Sequence, residues 1–394
     1  MRFQSYFNTA VQLINAYDGS MPLAHYLKQY FSQHKKHGSK DRKYITHLCY
    51  CYYRLGHALK GLPVEERARV ALFICNESIS EWVVLFNEDW TGQHNSSLNE
   101  RVKFIQSVHP FAIADIFPWQ DELSGEINTT NFAISHLAQP DLFLRARPGR
   151  RDIVVKKLKD QNIQFNEVGG NAVALPNTSK IDSVIELNKE AVVQDYSSQQ
   201  IQQFFDAVKA DHNNSGQPIK IWDCCAASGG KSILAYDSFK NIQLTVSDIR
   251  HSIIHNLQQR FKEAGIQKYK SFVADLTSSP APYALHLQPF DLIICDAPCS
   301  GSGTWGRTPE QLYFFSNEKI DHYASLQQKI THAVVPYIKE GGYFLYVTCS
   351  VFKKENEAAV DSIQQLNRLN LISKQLLTGY DKKADTMFAA LFKK

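Results

Sequence analysis

Long apolar runs are missing from this chain of 394 residues. No stretch approaches the roughly eighteen consecutive apolar residues that a membrane-crossing helix needs, so no membrane span is expected. The beginning of the chain also lacks the basic, then apolar, then small-residue pattern of a secretory signal. Cysteine occurs eight times, at positions 49, 51, 75, 224, 225, 295, 299 and 349, without the paired spacing of a zinc site. These are therefore expected to be reduced thiols in a cytoplasmic protein, with no metal. Charge of one sign is scarce too: 43 Lys and Arg stand against 39 Asp and Glu, a net charge of +4. That balance permits a nucleic-acid partner but does not by itself point to one. Neither a dinucleotide fingerprint nor a phosphate-binding P-loop is present at the proper spacing.

What is there begins with 44% hydrophobic residues, ample for folded cores, in a length that allows two or three domains. From Met1 to about Gln139 the pattern is helical. Phe7, Val11 and Ile14 recur at helix spacing, as do Leu23, Tyr26, Leu27 and Tyr30, and Tyr44, Leu48, Cys51, Tyr52 and Leu55. The basic connection at residues 34–43 carries five Lys or Arg and reads first as a solvated loop, with RNA phosphate contact the alternative. Residues 140–190 change character. Leu142–Arg147 alternates as a strand, Asp152–Gln161 reads as a short amphipathic helix, and residues 163–165 and 172–175 read as further strands. Arg145, Arg147, Arg150, Arg151, Lys156, Lys157 and Lys159 make this small α/β unit basic, which suits phosphate contact as well as plain surface.

The third segment, residues 191–394, carries the chemistry. Ile219–Trp222 reads as a strand, and Cys225-Ala226-Ala227-Ser228-Gly229-Gly230-Lys231 follows before a helix, where small residues let backbone N–H groups meet a polar ligand. Asp248, Asp275 and Asp296 each follow a short apolar or β-branched run, so each sits where a strand ends. Any one of them alone is an ordinary strand-end cap. All three in register with a small-residue loop favour S-adenosylmethionine, with Asp248 suited to the ribose hydroxyls. After Asp296 come Cys299 and then Ser300-Gly301-Ser302-Gly303, an acid and a thiol three residues apart before a pliant turn. Taken alone this reads equally as a buried strand with an inert cysteine. A second strand, Gly342–Val347, runs into Thr348-Cys349-Ser350, and the intervening spacing predicts a helix over Glu318–Lys339. Such a βαβ unit puts Cys299 and Cys349 on the same side of one sheet. Trp305, Tyr313, Phe314 and Phe315 follow the first thiol, either to stack on a base or as core aromatics.

The run DAPCSGSGT with Arg307-Thr308-Pro309 after it, and TCS after the next strand, resembles the RNA cytosine-5 methyltransferases of the Sun (Fmu) type, which carry one cysteine in each motif. CAASGGK differs from that family's CAAPGGK only at Ser228, and VQDYSSQ at 193–199 resembles its VQD-x-SSQ segment. The resemblance implies a class I S-adenosylmethionine-dependent methyltransferase fold, Rossmann-like, with a mostly parallel seven-stranded sheet. A NusB-like helical domain over 1–139 and a ferredoxin-like or RRM-like subdomain over 140–190 would precede the catalytic domain over 191–394. It further implies that Cys349 attacks carbon 6 of a cytosine, Cys299 removes the carbon 5 proton, Asp296 holds the base, Lys231 orients Asp296 or the substrate, and Asp275 meets the adenine of the cofactor. Residues 225–231, Asp248 and Asp296 would line the cofactor, and Arg145, Arg147 and Arg307 would meet RNA. The protein expected is a monomer acting on RNA, ribosomal before transfer. Two rivals stay open: a methyltransferase for another acceptor, and a non-catalytic RNA-binding assembly factor on the same fold.

Overall fold

The structure, a computed structural model, describes residues 2–94, 97–212, 217–239, 241–278 and 289–394. It divides into two compact units. The first comprises Met1–Leu123, Ile127–Gln139 and Thr304–Ser316; the second comprises Ser124–Glu126, Pro140–Gly303 and Asn317–Lys394.

The first unit is helical. Its elements in order are α1 (Arg2–Ala16), α2 (Leu23–Gln33), α3 (Ser39–Arg54), α4 (Val64–Cys75), α5 (Glu88–Gln93), α6 (Leu98–Val108) and α7 (Thr129–Ser135). The residues spaced three and four apart in α1 to α3 supply its core, with Phe7, Leu27, Leu48 and Leu72 all buried together. Arg67 is fully buried, and its guanidinium donates to the carbonyls of Tyr52, Gly56 and Ala58 at 2.9, 2.8 and 3.1 Å. The charge thus replaces water with carbonyls left over beyond the end of α3. Residues Thr304–Ser316, expected with the catalytic domain, group with these helices instead. Trp305 there is fully buried against Phe117, Trp119 and Phe315, so the base-stacking reading of this aromatic gives way to the core one.

The second unit holds two sheets. A four-stranded antiparallel sheet of order β2-β3-β1-β4 is built from β1 (Leu142–Ala146), β2 (Asn166–Gly169), β3 (Ala172–Leu175) and β4 (Ala191–Val193), with α8 (Arg151–Asp160) between the first two strands. The expected strand at 163–165 starts later, and turns rather than a second helix fill 176–190. After α9 (Tyr196–Gln199) and α10 (Gln202–His212) comes the larger sheet: β5 (Ile219–Asp223), α11 (Gly230–Ser238), β6 (Ile242–Asp248), α12 (His251–Glu263), β7 (Tyr269–Val273) and β8 (Phe290–Asp296). In the first unit α13 (Pro309–Phe314) follows; then the second resumes with α14 (Glu318–Val334), β9 (Ile338–Thr348), α15 (Glu357–Asn367), β10 (Asn370–Leu377) and β11 (Met387–Lys393).

The strand order is β10-β11-β9-β8-β5-β6-β7. β5 to β9 run parallel, while β11 is antiparallel to both β9 and β10. This is the seven-stranded, mostly parallel sheet expected. Leu292, Ile293 and Ile294 are fully buried, as a strand covered on both faces requires. α14 stops at Val334, short of the expected Lys339, because Pro336 cannot donate to a continuing helix. Strand order reverses between β5 and β8, and at such a switch point the strand ends open into a crevice that takes ligands.

Arg145 and Arg147, expected to contact phosphate, do something else. Arg145 Nη1 and Arg147 Nη2 lie 2.7 and 2.6 Å from the two oxygens of Asp237 on α11, and all three side chains are buried or nearly so. The pairing fixes β1 of the small sheet to a helix of the large one, which takes both arginines away from any RNA surface. Breaking such a buried pair leaves uncompensated charge. Asp237→Ala should lower unfolding free energy by about 3–5 kcal/mol in denaturant titrations. Glu167→Ala, which removes only the exposed partner of Arg151, should cost about 1 kcal/mol or less; equal losses would show that the buried pairing has no special weight.

Candidate active site

The acids and the thiol pair of this site lie at or just beyond the carboxyl ends of the parallel strands. The loop after β5 is held to its neighbours by backbone bonds: Cys224 N–H donates to Ile294 C=O and Ala226 N–H to Ser247 C=O, both at 2.9 Å. Ala227 adopts φ 45°, a left-handed conformation costly for a residue with a side chain, and its N–H donates to Asp248 Oδ2 at 3.1 Å. Gly229 (φ 81°) lies against α12, where an added Cβ would come within 2.7 Å of the Phe261 ring. Ser228 accepts from Arg260 Nη1 at 3.0 Å, a tether that proline at this position would lack.

The three strand-end acids are engaged differently. Asp248, largely buried at the end of β6, accepts at Oδ1 from the Arg250 backbone (3.0 Å) and from Arg250 Nε (3.1 Å). The Arg250 side chain is 59% exposed, so a ligand hydroxyl can displace it at small cost. Asp275, exposed, forms a turn with Thr277, whose N–H and hydroxyl donate to its Oδ1 at 2.8 and 2.6 Å. Those bonds hold its carboxyl below the usual range. Asp296, at the end of β8, pairs with Lys231 Nζ at 2.6 Å. Burial works against the Lys231 ammonium, but the adjoining carboxylate outweighs it and the lysine pKa is raised. Lys231 is therefore charged, with its charge directed at Asp296.

Cys299 and Cys349 meet. Their sulfurs are 3.2 Å apart, both partly exposed, one from the turn after β8 and one from the turn after β9. The hydrogen bond to Cys349, and then burial, push the Cys299 thiol well above its ordinary pKa. Cys299 accordingly keeps its proton, and either sulfur can be the donor in the contact. Gly303 N–H donates to Cys349 C=O at 2.9 Å, and a Cβ on Gly303 would overlap Thr386 C=O at 1.9 Å, so only glycine lets the two thiol turns close up.

Sequence reasoning missed the group that joins these turns. Glu355 is fully buried: Oε2 accepts from Ser300 N–H at 2.9 Å and from Gln327 Nε2 at 3.0 Å, while Oε1 accepts from the Ser350 hydroxyl at 2.7 Å. Burial raises its pKa, although these bonds act the other way. Gln327, from α14, also donates to Pro298 C=O at 3.0 Å. Asn356 completes the frame, donating to Ser350 C=O at 3.0 Å and accepting from the Thr348 hydroxyl at 2.6 Å. An acid and an amide in KENE, one lysine after the apolar pair Val351-Phe352, were the available signal. Arg307 lies among the helices of the first unit, where its N–H donates to Thr304 C=O at 2.8 Å.

Residues 210–390 match the family model described as 16S rRNA methyltransferase RsmB/F. The chain is 30% identical over 174 residues to ribosomal RNA small subunit methyltransferase B of Xanthomonas campestris, covering 44% of this chain and 38% of that one. With the probable ribosomal RNA small subunit methyltransferase B of Synechocystis it shares 27% identity over 280 residues, 69% of this chain and 59% of that one. These matches span between about two fifths and three fifths of the relatives' lengths. Among solved structures, the crystal structure of PH0851 superposes with a TM-score of 0.70 at 18% identity, covering 99% of this chain and 98% of that one. The structure of NSun6 from Pyrococcus horikoshii gives 0.59 at 14% identity, with 70% and 97% covered. At such identities these two establish the fold.

The frame around Glu355 makes its own prediction. Glu355→Ala leaves the Ser300 N–H and the Gln327 amide without their carboxylate partner, and each buried unpaired donor costs about 1–3 kcal/mol. Stability should fall by about 2 kcal/mol or more, and the two thiols should separate. The rate at which a mild oxidant joins Cys299 to Cys349, read by peptide mapping, should drop. An unchanged rate would mean that the turns hold their positions without the carboxylate.

Proposed function

Since residues 210–390 form a methyltransferase domain of the RsmB/F family, we propose that this chain transfers a methyl group from S-adenosylmethionine to carbon 5 of a cytosine in RNA, ribosomal before transfer RNA. The observation that carries the reading is the Cys299–Cys349 sulfur contact beside the Lys231–Asp296 pair. A methyltransferase acting on a nitrogen or oxygen needs no thiol pair, and a non-catalytic scaffold needs neither. Carbon 5 of cytosine is a poor nucleophile and calls for covalent activation.

The residues suit the cofactor. The left-handed Ala227, the Gly229–Gly230 turn and the Asp248 carboxylate form a cradle at the switch point of the sheet, and Asp275 lies at the next strand end. Residues 225–231, Asp248, Asp275 and Asp296 would hold S-adenosylmethionine, which supplies the methyl group.

In this mechanism Cys349 gives its thiolate pair to carbon 6 of the ring, and carbon 5 gains enamine character. Asp296, oriented by Lys231, holds the N3 and amino edge where charge develops. Once Cys349 is bonded to carbon, Cys299 no longer faces a sulfur competing for charge, so its thiol becomes easier to deprotonate. Cys299 then releases its own proton to solvent and, as thiolate, takes the carbon 5 proton; the C–H electron pair reforms the ring double bond, and Cys349 leaves as thiolate. RNA would reach the site as a single strand or with its base flipped out. With Arg145 and Arg147 committed to Asp237, the exposed Arg150, Lys156 and Lys159 are cations of the small α/β segment that can meet phosphate. No helix among the described residues is long and apolar enough to cross a membrane. We take the enzyme to work in the cytoplasm as a monomer.

Calorimetric titration of S-adenosylmethionine should show Asp248→Ala binding at least about tenfold more weakly than the parent, from the loss of charge-assisted hydrogen bonds. Ser228→Pro should bind much as the parent does. Equal binding by Asp248→Ala would remove that strand end from the cofactor site.

The two cysteines separate in a second experiment. Cys299→Ala should attack and methylate but then stall, leaving a protein–RNA species that survives denaturing electrophoresis and requires S-adenosylmethionine to build up. Cys349→Ala should form neither adduct nor product, and the double variant should match it, because attack comes first. An adduct from Cys349→Ala and none from Cys299→Ala would exchange the roles.

A further inference from the structure

Cys224, Cys225 and Cys295 take no part as thiols in the chemistry above, yet their sulfurs all lie within 4.8 Å of one another. The pairing of β5 with β8 explains the meeting. Asp223 stands opposite Ile294 in that parallel register, so Cys224, just past the end of β5, and Cys295, still within β8, come side by side. The bond from Cys224 N–H to Ile294 C=O, at 2.9 Å, holds the two chains together there. Cys225 turns back over them. Cys224 and Cys295 are buried, while Cys225 is partly exposed and provides the way in. No spacing along the sequence could have shown this, since seventy-one residues separate Cys224 from Cys295.

Three thiols converging on one point form a donor set for a thiophilic cation. An ion with metal–sulfur bonds of about 2.3 Å holds its sulfurs about 3.8–4.0 Å apart in tetrahedral or trigonal geometry. The sulfurs here, within 4.8 Å of one another, are already close to that separation. A further feature of the same strand end is unexplained by the packing. Asp223 is fully buried, and although Oδ2 accepts from the Ser232 hydroxyl at 2.6 Å, Oδ1 has no hydrogen-bond partner among the described residues. The Asp223 oxygens are not among the donor atoms that lie within 4.8 Å of one another, so the three sulfurs alone make the donor set.

We propose that Cys224, Cys225 and Cys295 form a thiolate site for a soft d10 cation, Zn2+ or Cu+. On binding, each thiol releases its proton to solvent, three per ion, and three metal–sulfur bonds replace the S–H bonds. The ion ties β5 to β8 at the point where the loop of residues 225–231 begins. This site does not depend on which acceptor the chain methylates, or on whether it methylates one.

The test uses the full chain, reduced and kept without oxygen, titrated separately with Zn2+ and Cu+ against a chromophoric chelator. Co2+ serves as a spectroscopic probe, because thiolate ligands give it a charge-transfer band that nitrogen and oxygen ligands do not. One ion per chain with that band is expected, and proton release should accompany binding. Cys225→Ala and Cys295→Ala should each weaken binding at least about tenfold. Cys225 is partly exposed, so its alanine variant tests the site without emptying a core position. Cys299→Ala and Cys349→Ala should bind as the parent does. Whichever of Zn2+ and Cu+ binds the more tightly is the cation of the site. If neither binds at one per chain, or if binding survives Cys225→Ala and is lost with Cys349→Ala, the thiol cluster is not a metal site.

Discussion

The buried carboxylate of Glu355 is the constraint on which this site depends. Two turns from neighbouring strands must approach until their sulfurs touch, and neither turn is rigid by itself. Glu355 takes an N–H from one, a hydroxyl from the other and an amide from α14, so one side chain sets three positions. Because it is fully buried, each of those bonds forms where water cannot compete, and a displacement of any one would strand a donor. The absence of a side chain at Gly303 does the complementary part by allowing the approach that Glu355 then fixes.

The sheet and the ends of its strands were legible in the sequence because both follow from local patterns. Apolar runs closed by Asp248 and Asp296 locate strand ends with no knowledge of their neighbours, and one βαβ unit is enough to put Cys299 and Cys349 on one edge. Glu355 and Gln327 were not legible, since an acid and an amide in helical or turn segments read as solvent-facing until the packing around them is known. The same limit hides the Cys224–Cys225–Cys295 cluster, which exists only through the register of β5 on β8.

Arg145 and Arg147 mark where composition misleads. A basic cluster next to a strand looks like a phosphate surface, but β1 is buried on both faces and Arg145 is buried with it. There Asp237, ninety-two residues away in sequence, meets it. A charge count along the chain has no means of seeing a partner that distant. Trp305 makes the same point for aromatics: its neighbours Phe117 and Trp119 come from the helical segment, so its stacking partners are protein rings.

The geometry also bears on why two thiols share one site. Sulfurs 3.2 Å apart in a partly dry pocket cannot both be anionic, because the second charge would face the first at close range. The proton therefore stays on one of them, and the raised pKa of Cys299 puts it there. In the proposed reaction this order is useful at both ends. Before attack, a protonated Cys299 is a poor nucleophile and does not compete with Cys349. After attack, the competing sulfur is bonded to carbon, and the largest cause of the high Cys299 pKa, its hydrogen bond with Cys349, has gone. The same contact that silences Cys299 at the start thus releases it as a base at the step that needs one, with no movement of the backbone.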